Sequence, residues 1–183
     1  MNGEKALSVK PAPLRVGLAL LGILLLAAGA LSLGGGPDAA VACEGARAEW
    51  SASDPPVNLT HVFCGEIKAD GRAVGFHARP GGVDPETARV VEIEDGPNAE
   101  GVYTARIQVR PPGGSWARAD DKFSSLFPDS LSVEEVVQAI LTAYRDSGTR
   151  QGKWRGDSGL GFTIEGWLLP GEEKINTAYP IYR

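Results

Sequence analysis

Ser132 to Gly148 reads SVEEVVQAILTAYRDSG. Ser132, with Glu135 three residues on, is a capping-box signature. Val133, Val136, Val137, Ile140, Leu141 and Tyr144 recur at helical spacing, so the pattern predicts a helix from Val133 to about Asp146 with one apolar stripe on a core. Gly148 suits the position just past its end. Outward from this helix the chain reads as strands. Ala88–Glu94 (ARVVEIE) and Val102–Arg110 (VYTARIQVR) alternate, with the turn Asp95-Gly96-Pro97-Asn98 between them, and predict a hairpin. Ala73–His77 (AVGFH) is strand-like. Gly152 to Gly161 reads as a glycine-rich loop. Phe162–Leu168 (FTIEGWL) and Lys174–Tyr182 (KINTAYPIY, broken at Pro180) complete a C-terminal half that is mostly sheet. The fold class expected is α+β.

The chain has 183 residues, enough for one domain. Its 24 Gly and 13 Pro are about a fifth of the total, short of the roughly 25–30% that marks low complexity. Two Cys and two His exclude a four-cysteine zinc module and a three-histidine zinc site.

The N-terminus reads as a targeting or anchoring segment. Lys5, Lys10 and Arg15 precede an uncharged run of 18 residues, Val16–Leu33 (VGLALLGILLLAAGALSL). A membrane span needs about 20 apolar residues and a signal-peptide core about 7–15, so a signal anchor and a cleaved signal peptide both stay open. Cys43 after Val41-Ala42 also faintly matches a lipoprotein box. The expected organisation is 1–36 signal segment or apolar anchor helix, 37–56 linker and 57–183 domain. The basic flank puts the domain outside the cytoplasm, secreted or membrane-anchored.

An oxidising compartment would let Cys43 and Cys64 bridge, closing a loop worth roughly 3 kcal/mol in the entropy model. Two free thiols are the alternative. Asn58-Leu59-Thr60 matches a glycosylation sequon. Removing residues 1–42 takes away three bases and two acids and leaves a net charge of −6. That is not the balance of a protein that binds nucleic acid through bulk charge.

Four places could carry chemistry. His61 and His77 lie 16 residues apart, far enough for a strand, a turn and a return strand to bring both rings to one cleft. Two imidazoles can serve as general base and general acid near neutral pH. Each could equally be an ordinary surface or core histidine. Lys122 could be a solvated side chain or a fixed cation. Thr177 and Tyr179 share a strand face and could hold a nucleobase, or be plain strand residues. Phosphate-loop, dinucleotide-binding, nucleophile-elbow and zinc-protease motifs are missing.

Four segments together, His61–Ile67 (HVFCGEI), Ala73–His77 (AVGFH), Lys122–Pro128 (KFSSLFP) and Thr177–Pro180 (TAYP), resemble the bacterial EndoU-type endoribonuclease domain over about Val57 to Tyr182. The resemblance implies a compact α+β ribonuclease fold of the kind shared with barnase-like toxins. It implies catalysis by His61, His77 and Lys122 and substrate positioning by Thr177 and Tyr179, with uridine favoured. The products would be a 2′,3′-cyclic phosphate and a 5′-hydroxyl. Leu126 and the acidic Asp120-Asp121 depart from the family pattern. No cofactor is expected; some relatives respond to manganese, but no ligand cluster is legible. The expected partners are an RNA substrate, a cognate inhibitor or immunity protein if the domain is a toxin, and the membrane if the N-terminal segment is retained. A monomer is expected. Two competing readings are a catalytically silent envelope binding module on the same scaffold and a nucleotide-acting hydrolase or transferase. Convergence of the two imidazoles and the lysine amine separates them.

Overall fold

The computed structural model describes residues 41–43, 48–116 and 122–183. The apolar run Val16–Leu33 and Asp120-Asp121 lie outside them. Among the described residues no helix is long and apolar enough to cross a membrane.

The elements in chain order are β1 (Glu66–Ile67), β2 (Ala73–Val74), β3 (Ala88–Asp95), β4 (Tyr103–Val109), β5 (Lys122–Leu126), α1 (Val133–Ser147), β6 (Lys153–Asp157), β7 (Thr163–Leu168) and β8 (Ile175–Pro180). They form three antiparallel sheets: β1-β2, β3-β4-β5 and β6-β7-β8. The architecture is mixed α/β, with a C-terminal antiparallel sheet and one helix among the described residues.

Helix α1 starts where its cap predicts. Ser132 Oγ accepts from the Glu135 N–H while the Glu135 carboxylate accepts from the Ser132 N–H, and Gly148 closes the helix in the left-handed region. The apolar stripe (Val136, Val137, Ile140, Leu141, Tyr144) is buried against β6 and β7. The predicted hairpin is β3-β4, joined across residues 96–102.

The stretch 152–161 is not a loop throughout: residues 153–157 are strand β6. Its glycine content hid an alternation in which Trp154 and Gly156 face inward and Lys153, Arg155 and Asp157 face out. Gly156 is there for contact rather than for a turn. A Cβ at that position would sit 1.9 Å from the Ala143 carbonyl oxygen, so only glycine lets the helix pack this closely.

The described residues form two cores. One joins α1, the inner face of the C-terminal sheet and residues Val57, Val62, Phe63 and Cys64. The other lies under β3-β4-β5 and includes Phe76, Tyr103, Ile107 and Leu126. The sheets meet where the Ser125 Oγ–H donates to the Pro180 carbonyl at 2.6 Å, tying β5 to β8.

Cys43 and Cys64 form a disulfide, with Cα atoms 5.4 Å apart. Its sulfur is therefore not free to take a lipid, which removes the lipoprotein-box reading. The sequon at Asn58 is also closed. Its side chain is 3% exposed and hydrogen-bonded to His61 N and Asn176.

Candidate active site

The first histidine sits on a single turn rather than on a strand. Thr60–Cys64 form one π-helical turn, and Asn58 Oδ1 accepts the His61 N–H at 3.0 Å. Val62, Phe63 and Cys64 are buried in the core and hold the turn in place. After Gly65, strand β1 brings Glu66 back to the ring, where its Oε2 lies 2.6 Å from His61 Nδ1 and 3.4 Å from Lys68 Nζ. The hydrogen bond from His61 is the largest influence holding the Glu66 carboxyl below its ordinary value, so it is ionised at neutral pH. An ionised carboxylate only accepts hydrogen bonds, so Nδ1 of His61 carries a hydrogen and Nε2 is left for chemistry.

The second histidine arrives by strand β2. Phe76 N–H donates to the His61 carbonyl at 2.8 Å and His77 N–H to the Val62 carbonyl at 2.7 Å, so the two histidine-bearing segments lie side by side. Gly75 makes this approach possible: with φ of +75°, its Cβ would lie 2.2 Å from the His61 carbonyl oxygen. Phe76 is also left-handed, at φ +60°. That costs about 1–2 kcal/mol for a residue with a Cβ. Full burial of its ring contributes roughly 1.5–3 kcal/mol and offsets the cost.

The ring centroids of His61 and His77 are 6.1 Å apart. Burial, then the charge of Lys122, then that of His61 push the His77 pKa well below the usual value, so this ring is neutral at pH 7. Its Nδ1 lies 3.1 Å from the Ser125 carbonyl and 3.0 Å from Ser124 Oγ.

Lys122 opens β5. Its Nζ donates to the Gly75 carbonyl at 3.1 Å and to Ser124 Oγ at 3.4 Å, and both acceptors are neutral oxygens. Burial lowers its pKa to about 8. It is still mostly an ammonium at pH 7, one hydroxyl away from His77.

Thr177 and Tyr179 share one face of β8. The Tyr179 ring lies 5.2 Å from that of His77, and its hydroxyl donates to Glu165 on β7 at 2.6 Å. Burial and that bond raise the Tyr179 pKa. Burial alone would also raise Glu165, but hydrogen bonds from Tyr179, Lys153 and Arg155 outweigh it and keep the carboxyl low. Trp167 stands opposite Thr177 in register and 5.9 Å from the Tyr179 ring. His61, His77, Tyr179 and Trp167 thus form a row of rings.

Sequence reasoning missed Glu66, Ser124, Glu165 and Trp167. Glu66 stands five residues after His61, within the quoted HVFCGEI. Glu165 and Trp167 alternate along FTIEGWL. Those were the available signals, but nothing local says which partner each would meet.

A groove of about 890 Å³, lined by Cys43, Phe63, Ala78, Val83, Pro85 and Leu131 among others, contains none of the five predicted residues. The cation among its described lining residues, Arg79, is already paired with Asp84 and Asp129. Among the described residues no group of three or more His, Cys, Asp and Glu side chains is placed to hold a metal ion.

The family model of the bacterial EndoU nuclease matches residues 57–182. The chain belongs to that family. No curated protein and no solved structure matches it. The EndoU match begins at Val57, just before the His61 turn, and runs past Tyr179, so both ends of the ring row fall within it.

Proposed function

We propose that this EndoU nuclease is an endoribonuclease that cleaves single-stranded RNA by transesterification, with His77 as base and His61 as acid. The observation that carries the reading is the pair of imidazoles 6.1 Å apart in opposite electrostatic settings, beside a half-buried ammonium.

His77 Nε2 takes the proton of the ribose 2′-OH. The 2′-oxygen forms a bond to phosphorus, and the bond from phosphorus to the 5′-oxygen breaks. The departing 5′-oxygen takes a proton from His61 Nε2. The products are a 2′,3′-cyclic phosphate and a 5′-hydroxyl. Of the two rings, His61 is the one that can carry positive charge against a compensating carboxylate, Glu66. His77 is neutral and so ready to accept a proton. Lys122 stabilises the charge that builds on the phosphoryl oxygens.

Thr177 and Tyr179 orient the nucleoside, with uridine preferred, and Glu165 holds the tyrosine hydroxyl. The net charge of −6 is compatible with this reading, because a cleft needs local potential rather than a basic surface. No metal or cofactor enters these steps.

The domain works as a monomer outside the cytoplasm, secreted or held by the N-terminal segment, and acts as a toxin on neighbouring cells. Its partners are RNA and a cognate immunity protein. The α-helix among the described residues, packed against an antiparallel sheet, supports the compact scaffold of barnase-like ribonucleases.

The test is incubation of the full chain with a uridine-containing oligonucleotide in EDTA. Cleavage to a cyclic phosphate is expected, and His61→Ala and His77→Ala should each abolish it without unfolding the protein. Full activity in both variants would overturn the assignment.

A further inference from the structure

Strand β5 reaches the His77 segment with two alternate side chains. Lys122 bonds the Gly75 carbonyl and Ser124 bonds the Phe76 carbonyl, at 3.1 and 2.9 Å. Both carbonyls belong to the left-handed pair that leads into His77. The Ser124 side chain is buried, at 2% exposure. Its hydroxyl has a single hydrogen. The Phe76 carbonyl can only accept, and at 2.9 Å it is a better acceptor than the Ser125 carbonyl at 3.4 Å. With its hydrogen given to Phe76, the Ser124 oxygen can meet His77 Nδ1 at 3.0 Å only as an acceptor. The Ser125 carbonyl at 3.1 Å makes the same demand on that nitrogen.

We infer that Ser124 is a positioning residue for His77: its hydroxyl, oriented by the Phe76 carbonyl, holds the ring as the Nδ1–H tautomer and so leaves the Nε2 lone pair for the substrate. The role of that lone pair as catalytic base rests on the ribonuclease reading above, whereas the tautomer itself does not. Ser125 contributes only a backbone oxygen, which no side-chain substitution removes. Ser124 is therefore the one of the two acceptors that mutation can delete. Deleting it also leaves the buried Phe76 carbonyl without its donor. A histidine base in the wrong tautomer can lose as much as about 10⁴-fold in kcat. Here one acceptor of two is lost, and a fall of about 10- to 100-fold is expected.

The experiment is nitrogen-15 NMR of the full chain, whose two histidines give only four ring nitrogens to assign. The unsubstituted protein should show His77 neutral and protonated at Nδ1. Ser124→Ala should show both tautomers, with kcat on a uridine oligonucleotide down about 10- to 100-fold and KM little changed. Ser124→Thr, which keeps the hydroxyl, should restore the single tautomer and most of kcat. A His77 protonated at Nε2 in the unsubstituted chain overturns the inference, and that outcome needs no variant to fold. So does a Ser124→Ala variant that keeps the Nδ1–H form, whether its kcat is unchanged or reduced. If the unsubstituted chain cuts no RNA, the proposed function fails, and the nitrogen shifts still decide the role of Ser124.

Discussion

His61 and His77 are both 6% exposed and their rings lie 6.1 Å apart, yet their surroundings are opposite. The His61 ring faces an ionised carboxylate five residues away on the next strand. The His77 ring faces a backbone carbonyl and a serine hydroxyl, with an ammonium close by. Solvent exposure does not separate the two, although burial is the largest influence on the His77 ring. What separates them is the charge of the nearest partner, and that difference is what can assign an acid and a base to chemically identical side chains.

The largest effects test whether both rings are needed. His61→Ala and His77→Ala should each lower kcat by about 10³-fold or more, within the range for losing one acid–base catalyst. A single-turnover cleavage assay checks this, and retention of activity by either variant breaks the comparison.

Lys122→Ala should cost about 10²- to 10³-fold in kcat, as for loss of one charge-stabilising donor. Its pKa of about 8 adds a second signature. The ammonium is lost as pH rises through about 8, so activity should fall there. Folding stability should move the other way. A lysine whose folded pKa is depressed favours the unfolded state while protonated, and that penalty is relieved between pH 8 and the unfolded value near 10.4. A pH–rate profile set beside thermal melts from pH 7 to 10 would show the two trends diverging.

Glu66→Gln keeps the size of the side chain and removes its charge. About a tenfold loss of kcat is expected, as for other residues that orient a functional histidine. Equal losses from Glu66→Gln and from a neutral change beside His77 would mean that the two settings are not functionally distinct.

The smallest effect is on stability in mild acid. The folded pKa of His77 lies well below its unfolded value of about 6.5. The buried neutral ring therefore stabilises the fold above pH 6.5, and that contribution is lost as pH falls from there toward the folded value. His77→Gln should flatten this decline. Melting temperatures between pH 8 and 5 measure it, and a slope unchanged by the substitution would place the acid sensitivity elsewhere.

Much of the scaffold was readable residue by residue. Helix α1 and its caps followed from Ser132, Glu135 and the spacing of six apolar side chains, because helix signals are local. The β3-β4 hairpin followed from alternation around Asp95-Gly96-Pro97-Asn98. Strand β6 did not, since Gly156 carried the mark of a loop while serving a close contact with α1, which is a long-range fact. His61, His77, Lys122, Thr177 and Tyr179 were named from their motifs, and the structure gathers both rings, the amine and the tyrosine at one place. Glu66, Ser124, Glu165 and Trp167 had no motif of their own to announce them.

Residue types, periodicity and caps thus determine which elements form and which side chains are able to do acid–base chemistry, because those properties depend on near neighbours along the chain. Which imidazole meets a carboxylate and which meets neutral oxygens was decided only in three dimensions. A proton's preference is set by the field of groups a few ångströms away, and at His77 the lysine, the serine hydroxyl and the backbone carbonyl among them lie 45 to 48 residues distant in the chain, on β5.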